Sequence, residues 1–150
     1  MKIDLRKAQF YDIPFLWYVR NQKDVYQYFK TPAPVSWEKH IEWIIPILLS
    51  LSQKELYVIT REKSPAGQLR FDYDGESAEI SISLLKELRG KGIASNVLKK
   101  AIAKVRREKI VNRLLAEIHI QNSASIGLFT KFGFKKIYTR EKFVTYSLSL

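Results

Sequence analysis

Residues 84–94 read Leu84-Leu85-Lys86-Glu87-Leu88-Arg89-Gly90-Lys91-Gly92-Ile93-Ala94, and the predicted fold follows from this stretch. It joins the clearest strand pattern in the chain to the clearest helix pattern through a basic turn with two glycines. Glycines let the backbone approach a ligand, and consecutive amide N–H groups at a helix N-terminus attract phosphate. Arg89 and Lys91 add full positive charges. The stretch therefore predicts a phosphate-binding loop.

Two different periods flank this loop. Before it, Ile80, Ile82 and Leu84 alternate with Glu79, Ser81 and Ser83, which places the two sets on opposite faces of a strand. After it, apolar residues over 94–105 repeat at intervals of three and one, as in an amphipathic helix. The P-loop and G-x-G-x-x-G spacings are absent, which disfavours nucleoside triphosphates and dinucleotides. On spacing alone, an ordinary strand-to-helix connection stays open as the alternative.

Capping and turn residues set the limits of the other predicted elements. Pro46 should kink or shorten one helix, and Pro65-Ala66-Gly67 and Asp74-Gly75 are predicted turns. The predicted elements before the loop are a strand over 2–8, a helix after the N-cap Asp12, a short helical turn over 24–29, a helix after the N-cap Ser36, and strands over 55–61 and 68–73. After the loop helix we expect a strand over 113–120, a helix ending at Gly133, and two final strands. This order predicts a mixed α/β sheet flanked by helices, in one domain over residues 1–150.

The composition excludes several classes of protein. The chain has no cysteine, which excludes disulfides and thiolate sites, and its two histidines are isolated, so we expect no metal. No apolar run reaches the roughly 20 residues of a membrane span. The N-terminus lacks a signal-peptide pattern, so we expect a cytoplasmic protein. The net charge of +11 favours anionic partners, but no nucleic-acid recognition motif accompanies it.

Two motifs resemble those of the GCN5-related N-acetyltransferase (GNAT) superfamily. Residues 89–94 match the superfamily pattern, in which Gln or Arg is followed by any two residues, Gly, any residue, and Gly or Ala. Residues 122–134 are similar to the second signature, an Asn, a small helix and a terminal Gly-Phe. The resemblance covers nearly the whole chain. It implies a mixed, mostly antiparallel sheet of about seven strands, flanked by four helices and splayed at the cofactor strand.

The resemblance also implies that acetyl-coenzyme A is the acetyl donor. It places the pyrophosphate on the amides from Arg89 to Ala94 and the pantetheine arm alongside residues 82–85, where an amide near Leu84 or Leu85 polarises the acetyl carbonyl. The helix after Asn122 borders the pantetheine and the 3′-phosphoadenosine. The implied cofactor-binding residues are Ile82, Leu84, Leu85, Arg89, Gly90, Lys91, Gly92, Ile93, Ala94, Asn122, Phe129 and Lys131.

Acetyl transfer to an amine needs a group that removes a proton from the amine. The resemblance implies Glu79 in this role, because some family members use a glutamate early in the corresponding strand, and Ser81 and Ser83 are candidates to relay the proton through water. A solvated strand glutamate stays open as the alternative. Many relatives protonate the departing thiolate with a tyrosine where this chain has Phe129. Water, Ser125 or Tyr138 are substitutes, or the thiolate leaves unprotonated.

The N-terminal half is expected to shape the acceptor site. Arg20, Asn21, His40 and Trp43 are similar in arrangement to residues of the nucleotide-sugar N-acetyltransferases of the pseudaminic-acid pathway and of the ribosomal-protein acetyltransferase branch. Arg20 suits a diphosphate, His40 a sugar or phosphate, and Trp43 a base or sugar face. Structural roles for these four residues stay open. The predicted acceptor is the amine of a small anionic, nucleotide-linked sugar.

Three alternatives remain beside this prediction. In the first, the acceptor is a protein or peptide N-terminus. In the second, the protein binds coenzyme A without catalysis, as the lack of a hydroxyl at Phe129 would allow. In the third, the basic chain binds nucleic acid, with an affinity that would fall steeply as salt rises. The sequence also leaves open whether the protein forms a homodimer.

Overall fold

The computed structural model describes all 150 residues, and it is a mixed α/β structure. The seven strands are β1 (Ile3–Lys7), β2 (Lys54–Arg61), β3 (Ser64–Asp74), β4 (Ser77–Leu84), β5 (Arg113–His119), β6 (Lys135–Arg140) and β7 (Phe143–Ser149). The five α-helices are α1 (Ile13–Arg20), α2 (Lys23–Tyr26), α3 (Trp37–Leu48), α4 (Ile93–Glu108) and α5 (Ser123–Lys131). The predicted class and strand number are confirmed. The fifth helix is the single turn α2.

One seven-stranded sheet with the order β1-β2-β3-β4-β5-β7-β6 forms the centre of the molecule. All neighbours are antiparallel except β4 and β5. These two pair in parallel over only three positions, the last of which joins Glu79 to Leu115. Beyond Glu79 they part, while β4 stays paired with β3 as far as Leu84. The predicted splay of the sheet is therefore confirmed.

Helices cover both faces of the sheet. The amphipathic pattern of α4 is confirmed, because Ile93, Val97, Leu98, Ala101, Ile102 and Val105 are all buried. Tyr57 and Ile59 of β2 belong to the same hydrophobic cluster as α4, whereas Leu56 and Val58 pack with α1 and α3. Since neighbouring residues of a strand point to opposite faces, α4 lies on one face and α1 and α3 on the other. Each fully buried aliphatic side chain contributes about 1.5–3 kcal/mol. None of the helices has the length and apolar character needed to cross a bilayer.

The predicted helix limits are confirmed where a side chain or a glycine caps the helix. The Ser36 hydroxyl accepts a hydrogen bond from the Lys39 amide at 3.2 Å and starts α3. At the end of α5, Gly133 has a φ of 93°, and the Phe134 amide donates to the Phe129 carbonyl at 3.1 Å, as in a Schellman motif. Pro46 lies inside α3, which ends two residues later at Leu48.

Two of the sequence predictions before β4 need correction. The turn predicted at Pro65-Ala66-Gly67 is wrong: the β2–β3 hairpin turns at Glu62 and Lys63, which both have positive φ. Residues 65–67 belong to β3, where the register shifts by one residue, and this bulge accommodates the proline. Asp12 precedes α1 but does not cap it with its side chain. Its carboxylate instead accepts two hydrogen bonds from Arg6 and one from the Gln9 amide.

Candidate active site

A cleft of about 540 Å³ opens where β4 and β5 part. Its walls come from five parts of the chain, which the parting strands and the turn after β4 bring together. These are residues 24–29 around α2, residues 79–84 of β4, the loop and first turn of α4, residues 116–119 of β5, and residues 122–129 around α5. The three residues predicted to be catalytic, Glu79, Ser81 and Ser83, all line this cleft.

The main chain of β4 offers unpaired groups to the cleft. The Leu85 amide donates to the Ala66 carbonyl at 3.0 Å, so it is not free to bind a ligand. Because residues of an antiparallel pair bond to their neighbour alternately, Ile82 and Leu84 direct their main-chain groups away from β3, toward the gap. Of the two amides predicted to polarise a carbonyl, the one at Leu84 is therefore the one that faces the cleft.

The loop between β4 and α4 has the conformation that its glycines allow. Gly90 and Gly92 have φ values of 74° and 78°, which residues other than glycine rarely adopt, and Gly92 is the N-cap of α4. No atom lies within 4 Å of where a Cβ would stand on either glycine, so the space above them is open. The Arg89 guanidinium donates to the Leu84 carbonyl at 3.2 Å. Amides, open space and positive charge thus meet at one end of the cleft.

Nine of the twelve predicted cofactor-binding residues line the cleft, and three do not. Those that line it are Ile82, Leu84, Arg89, Gly90, Gly92, Ile93, Ala94, Asn122 and Phe129. Leu85, Lys91 and Lys131 lie outside its walls. Asn122 also caps α5, since its side-chain oxygen accepts from the Ser125 amide at 3.3 Å. Phe129 is buried and packs edge-on against Phe134 at a centroid distance of 5.0 Å.

Glu79 lies on the cleft wall, in contact with solvent through the cleft opening. The surrounding walls partly desolvate its carboxylate, and the negative charges of Glu117 and Asp72 lie close by. These effects, the first being the largest, raise the pKa of Glu79, against a smaller opposite effect of Arg70 and Lys30. A carboxylate with a raised pKa is a stronger base than an ordinary one, which suits proton removal from an amine.

Sequence reasoning missed the part that residues 24–30 play in the cleft. This segment, which we call the cleft segment, spans the gap from one strand to the other. Asp24 lies 3.6 Å from the Lys86 ammonium and 4.0 Å from the Arg89 guanidinium. Both of these partners follow the end of β4 in the chain. Lys30 pairs with Glu117 of β5 at 2.9 Å. The only signal in the sequence was the predicted helical turn, which gave no sign of these long-range contacts.

The cleft segment and β5 also supply aromatic groups. Tyr28 lines the cleft, and its ring lies 5.5 Å from that of His119, centroid to centroid. Tyr28 and Ser125 are therefore hydroxyl-bearing residues of the cleft wall, whereas Phe129 has no hydroxyl. Tyr138, another predicted proton donor, lies on β6 with 54% of its surface exposed, outside the cleft walls.

Arg20 and Asn21 hold the loop that follows α2, and neither lines the cleft. Asn21 donates to the Val35 carbonyl at 3.0 Å and accepts from the Val35 amide at 2.8 Å. Arg20 donates to the Ala33 carbonyl at 3.2 Å, and its guanidinium stacks over the Phe29 ring. Both side chains thus have structural partners, and acceptor binding by them stays a prediction.

His40 and Trp43 lie on α3, also away from the cleft walls. His40 is only 2% exposed, between the rings of Trp37 and Trp43, and its Nε2 has no hydrogen-bond partner. Burial and, to a smaller extent, the charge of Arg20 lower the pKa of His40. Trp43 contacts the guanidinium of Arg70. A role for either residue in acceptor binding stays a prediction.

The chain can be assigned to a class of proteins from three features. These are the splayed sheet, the glycine loop and the open main chain of β4. Residues 2–135 match the model of the acetyltransferase (GNAT) domain, and the chain belongs to this family. The family resemblance of the two sequence motifs is therefore confirmed.

Individual proteins agree with this assignment. A curated N-alpha-acetyltransferase of Saccharolobus solfataricus is 31% identical over 58 residues, which span 39% of this chain and 35% of that protein. The structure of a domain from Methanocaldococcus jannaschii superposes with a TM-score of 0.88 at 24% identity and covers 99% of both chains. RimL, a ribosomal L7/L12 alpha-N-protein acetyltransferase in complex with coenzyme A, superposes with a TM-score of 0.88 at 19% identity, over 100% of this chain and 95% of that one. These structures share the fold.

Proposed function

We propose that this protein transfers the acetyl group of acetyl-coenzyme A to a primary amine that carries positive charge, with a protein or peptide N-terminus as the acceptor class. The observation that carries this proposal is the gap between β4 and β5. It begins beside Glu79, exposes the main chain of Ile82 and Leu84, and ends at the glycine loop before α4.

The cleft suits two parts of acetyl-coenzyme A, the pyrophosphate and the pantetheine arm. The amides from Arg89 to Ala94, at the start of a sixteen-residue helix, suit the pyrophosphate. The pantetheine arm carries amides of its own, and the main-chain groups of Ile82 and the amide of Leu84, which β3 leaves unpaired, match them in the way a neighbouring strand would. Asn122 and Phe129 border the arm from α5.

The reaction then needs one base and one hydrogen-bond donor. Glu79 takes a proton from the acceptor ammonium, directly or through water held by Ser81 and Ser83. The neutral nitrogen attacks the thioester carbonyl carbon, and the Leu84 amide stabilises the oxyanion that forms. The C–N bond is made, the attached nitrogen loses its second proton to water, and the C–S bond breaks as the oxyanion collapses. Coenzyme A departs as a thiolate that takes up a proton from Ser125, Tyr28 or water. General-base catalysis of this kind contributes about 10²–10⁴-fold.

The charges of the cleft favour a cationic acceptor. Asp24, Glu79 and Glu117 all line it, and Arg89 is the only lysine or arginine among its lining residues. Asp24 and Glu117 have cationic partners, whereas Glu79 has no ion pair. A diphosphate placed beside these carboxylates would meet like charge, while an ammonium gains attraction. Two similar proteins are described as acetyltransferases of α-amino groups, which supports this class. The nucleotide-linked amino sugar stays a prediction, and the four residues on which it depended lie outside the cleft walls.

Release of free thiol from acetyl-coenzyme A tests the proposal. The amines to compare are unblocked peptides, the same peptides with acetylated N-termini, spermidine, and a 4-amino nucleotide sugar. We expect turnover with unblocked peptides, none with blocked ones, and a 10²-fold or larger loss of kcat in Glu79→Gln. Glu76→Gln, at the exposed β3–β4 turn, is the matched control. Turnover with the nucleotide sugar alone would contradict the proposed acceptor class.

A second candidate, a protein that binds coenzyme A without catalysis, has Phe129 in its favour. The side chain of this residue is buried and has no hydroxyl to donate to a thiolate. Calorimetry would then show binding of acetyl-coenzyme A while thiol release stayed flat with every amine. Thiol release that depends on Glu79 excludes this candidate.

A further inference from the structure

Lys30 places an ammonium group against Glu117, a residue of the cleft wall, although Lys30 itself is not one of the lining residues. Its Nζ lies 2.9 Å from Oε1 of Glu117 and 5.8 Å from the centre of the Phe143 ring. A carboxylate on one side and an aromatic face on the other are the groups that recognise an alkylammonium ion. Lys30 thus shows what kind of ligand atom this corner of the cleft can hold.

Glu117 is positioned to serve the acceptor as well as Lys30. Leu115 pairs with Glu79 across the two strands, and Glu117 follows two residues later, so Glu117 and Glu79 lie on the same face of the sheet. The effect of Glu117 on the pKa of Glu79 agrees with this proximity. An ammonium bound to Glu117 therefore lies beside the proposed base.

The pair between Lys30 and Glu117 is weak enough to exchange. The Lys30 side chain is 67% exposed and belongs to the loop after α2, whereas Glu117 is 29% exposed and held in β5. Exposed ion pairs contribute little because water and salt screen them and the long side chain loses freedom. A ligand ammonium can therefore replace Lys30 at small cost.

We propose that Lys30 is a specificity-determining residue that occupies, on Glu117, the position of the acceptor ammonium, so that a cationic amine binds by displacing it. This inference rests on the proposed acetyltransferase function and names Glu117 as the acceptor's carboxylate partner. Displacement frees the end of the cleft segment, which is held on the other side of the gap by Asp24. Neutral or anionic amines cannot take the place of Lys30 and are selected against.

Steady-state kinetics with an unblocked peptide that has neutral side chains tests the inference. We expect Lys30→Gln to lower KM for the peptide by up to about fivefold, because the internal competitor is gone. We expect Glu117→Gln to raise KM about tenfold or more, because the ammonium loses its charged partner. The double variant should show the high KM of Glu117→Gln, since Lys30 competes with the acceptor only for that carboxylate.

Two further variants separate the pair from general charge effects. Lys23→Gln removes the same charge from an exposed residue of α2 that has no ion pair, and KM should not fall. Lys30→Arg restores a cation opposite Glu117 and should return KM toward the wild-type value. A higher KM in Lys30→Gln would overturn the inference, because Lys30 would then bind the acceptor itself. An unchanged KM in Glu117→Gln would overturn it too.

Calorimetry keeps the test valid if the proposed reaction fails. Binding of the same peptide to protein saturated with coenzyme A needs no turnover. Tighter binding in Lys30→Gln and weaker binding in Glu117→Gln support the inference even when no thiol is released, and equal affinities in all variants overturn it. Unchanged affinity for coenzyme A in each variant shows that the fold is intact.

Discussion

Glu79 and Glu117 lie on the same face of the sheet, on the two strands that part just after Glu79. The cleft walls and the charge of Glu117 raise the pKa of Glu79. A carboxylate must be deprotonated to act as a base, so kcat/KM should fall on the acid side of the pH profile as Glu79 takes up its proton.

Glu117→Gln should move this acid limb to lower pH. The substitution removes a neighbouring negative charge, so the pKa of Glu79 falls toward its ordinary value. The measurement is kcat/KM for an unblocked peptide against pH, with Glu76→Gln as a control whose profile matches the wild type. An acid limb that stays in place would show that the two carboxylates do not interact.

Gly92→Ala should weaken binding of acetyl-coenzyme A about tenfold. Alanine at a φ of 78° costs roughly 1–2 kcal/mol, and its methyl group would enter the open space that the pyrophosphate is proposed to fill. Gly75→Ala is the matched control, because Gly75 has a φ of 61° and open space but lies in the β3–β4 turn. Calorimetric titration should show normal affinity in the control, and equal losses in both variants would point to a global effect.

Gly67→Ala should destabilise the protein and disturb the cleft wall. A Cβ at Gly67 would stand 2.1 Å from the Ser83 carbonyl oxygen, which forces β3 and β4 apart at the end of the splayed strand. We expect a loss of about 1–3 kcal/mol in the free energy of unfolding, measured by urea denaturation. Gly127→Ala, in α5 with open space around it, should be neutral or stabilising by up to about 1 kcal/mol. Equal stability of the two variants would contradict the packing argument.

Asp12→Asn should destabilise the protein at neutral pH by about 1–3 kcal/mol, because the carboxylate accepts two hydrogen bonds from Arg6, at 2.7 and 2.8 Å. Burial alone raises the pKa of Asp12, but the hydrogen bonds from Arg6 and Gln9 outweigh it and lower that pKa. The stabilisation is therefore present above the unfolded pKa of about 3.9 and is lost as pH falls through the lower folded value.

Urea denaturation at several pH values measures this effect of Asp12. The difference between wild type and Asp12→Asn should be largest near pH 7 and shrink in acid. Asp4→Asn is the control, since the Asp4 carboxylate is half exposed and 3.9 Å from Lys2. A difference that persists unchanged in acid would mean that the charge of Asp12 is not the cause.

The sequence predicted the parts of the fold that depend on local patterns. The alternation over residues 79–84, the amphipathic face of α4 and the cap at Gly133 are all local signals, and each was confirmed. The turn at residues 65–67 was placed wrongly because proline and glycine usually mark a loop, whereas here the pairing of β2 with β3 tolerates them in a bulge. Strand pairing acts over long distances and can override the local preference.

The candidate site was predicted where it lies near the motifs and missed where it depends on distant contacts. The glycine loop and Glu79 belong to one continuous strand, loop and helix. Lys30 and Glu117 are 87 residues apart in sequence, and only the folded sheet brings them together. The choice of Arg20 and His40 for the acceptor followed a resemblance in local sequence arrangement. In the structure Arg20 donates to the loop after α2, and His40 packs against the ring of Trp37.

From Ile80 to Leu84, β4 is paired with a strand on one side only, which is β3. The molecule therefore has a sheet edge in its interior. A sheet edge on the surface can pair with strands of other chains, and proteins normally cover or protect such edges. Here the cleft segment and α5 both line the gap beside this edge. We expect these two elements to keep a strand of another chain away from the edge, while the slender arm of the coenzyme can still enter the gap.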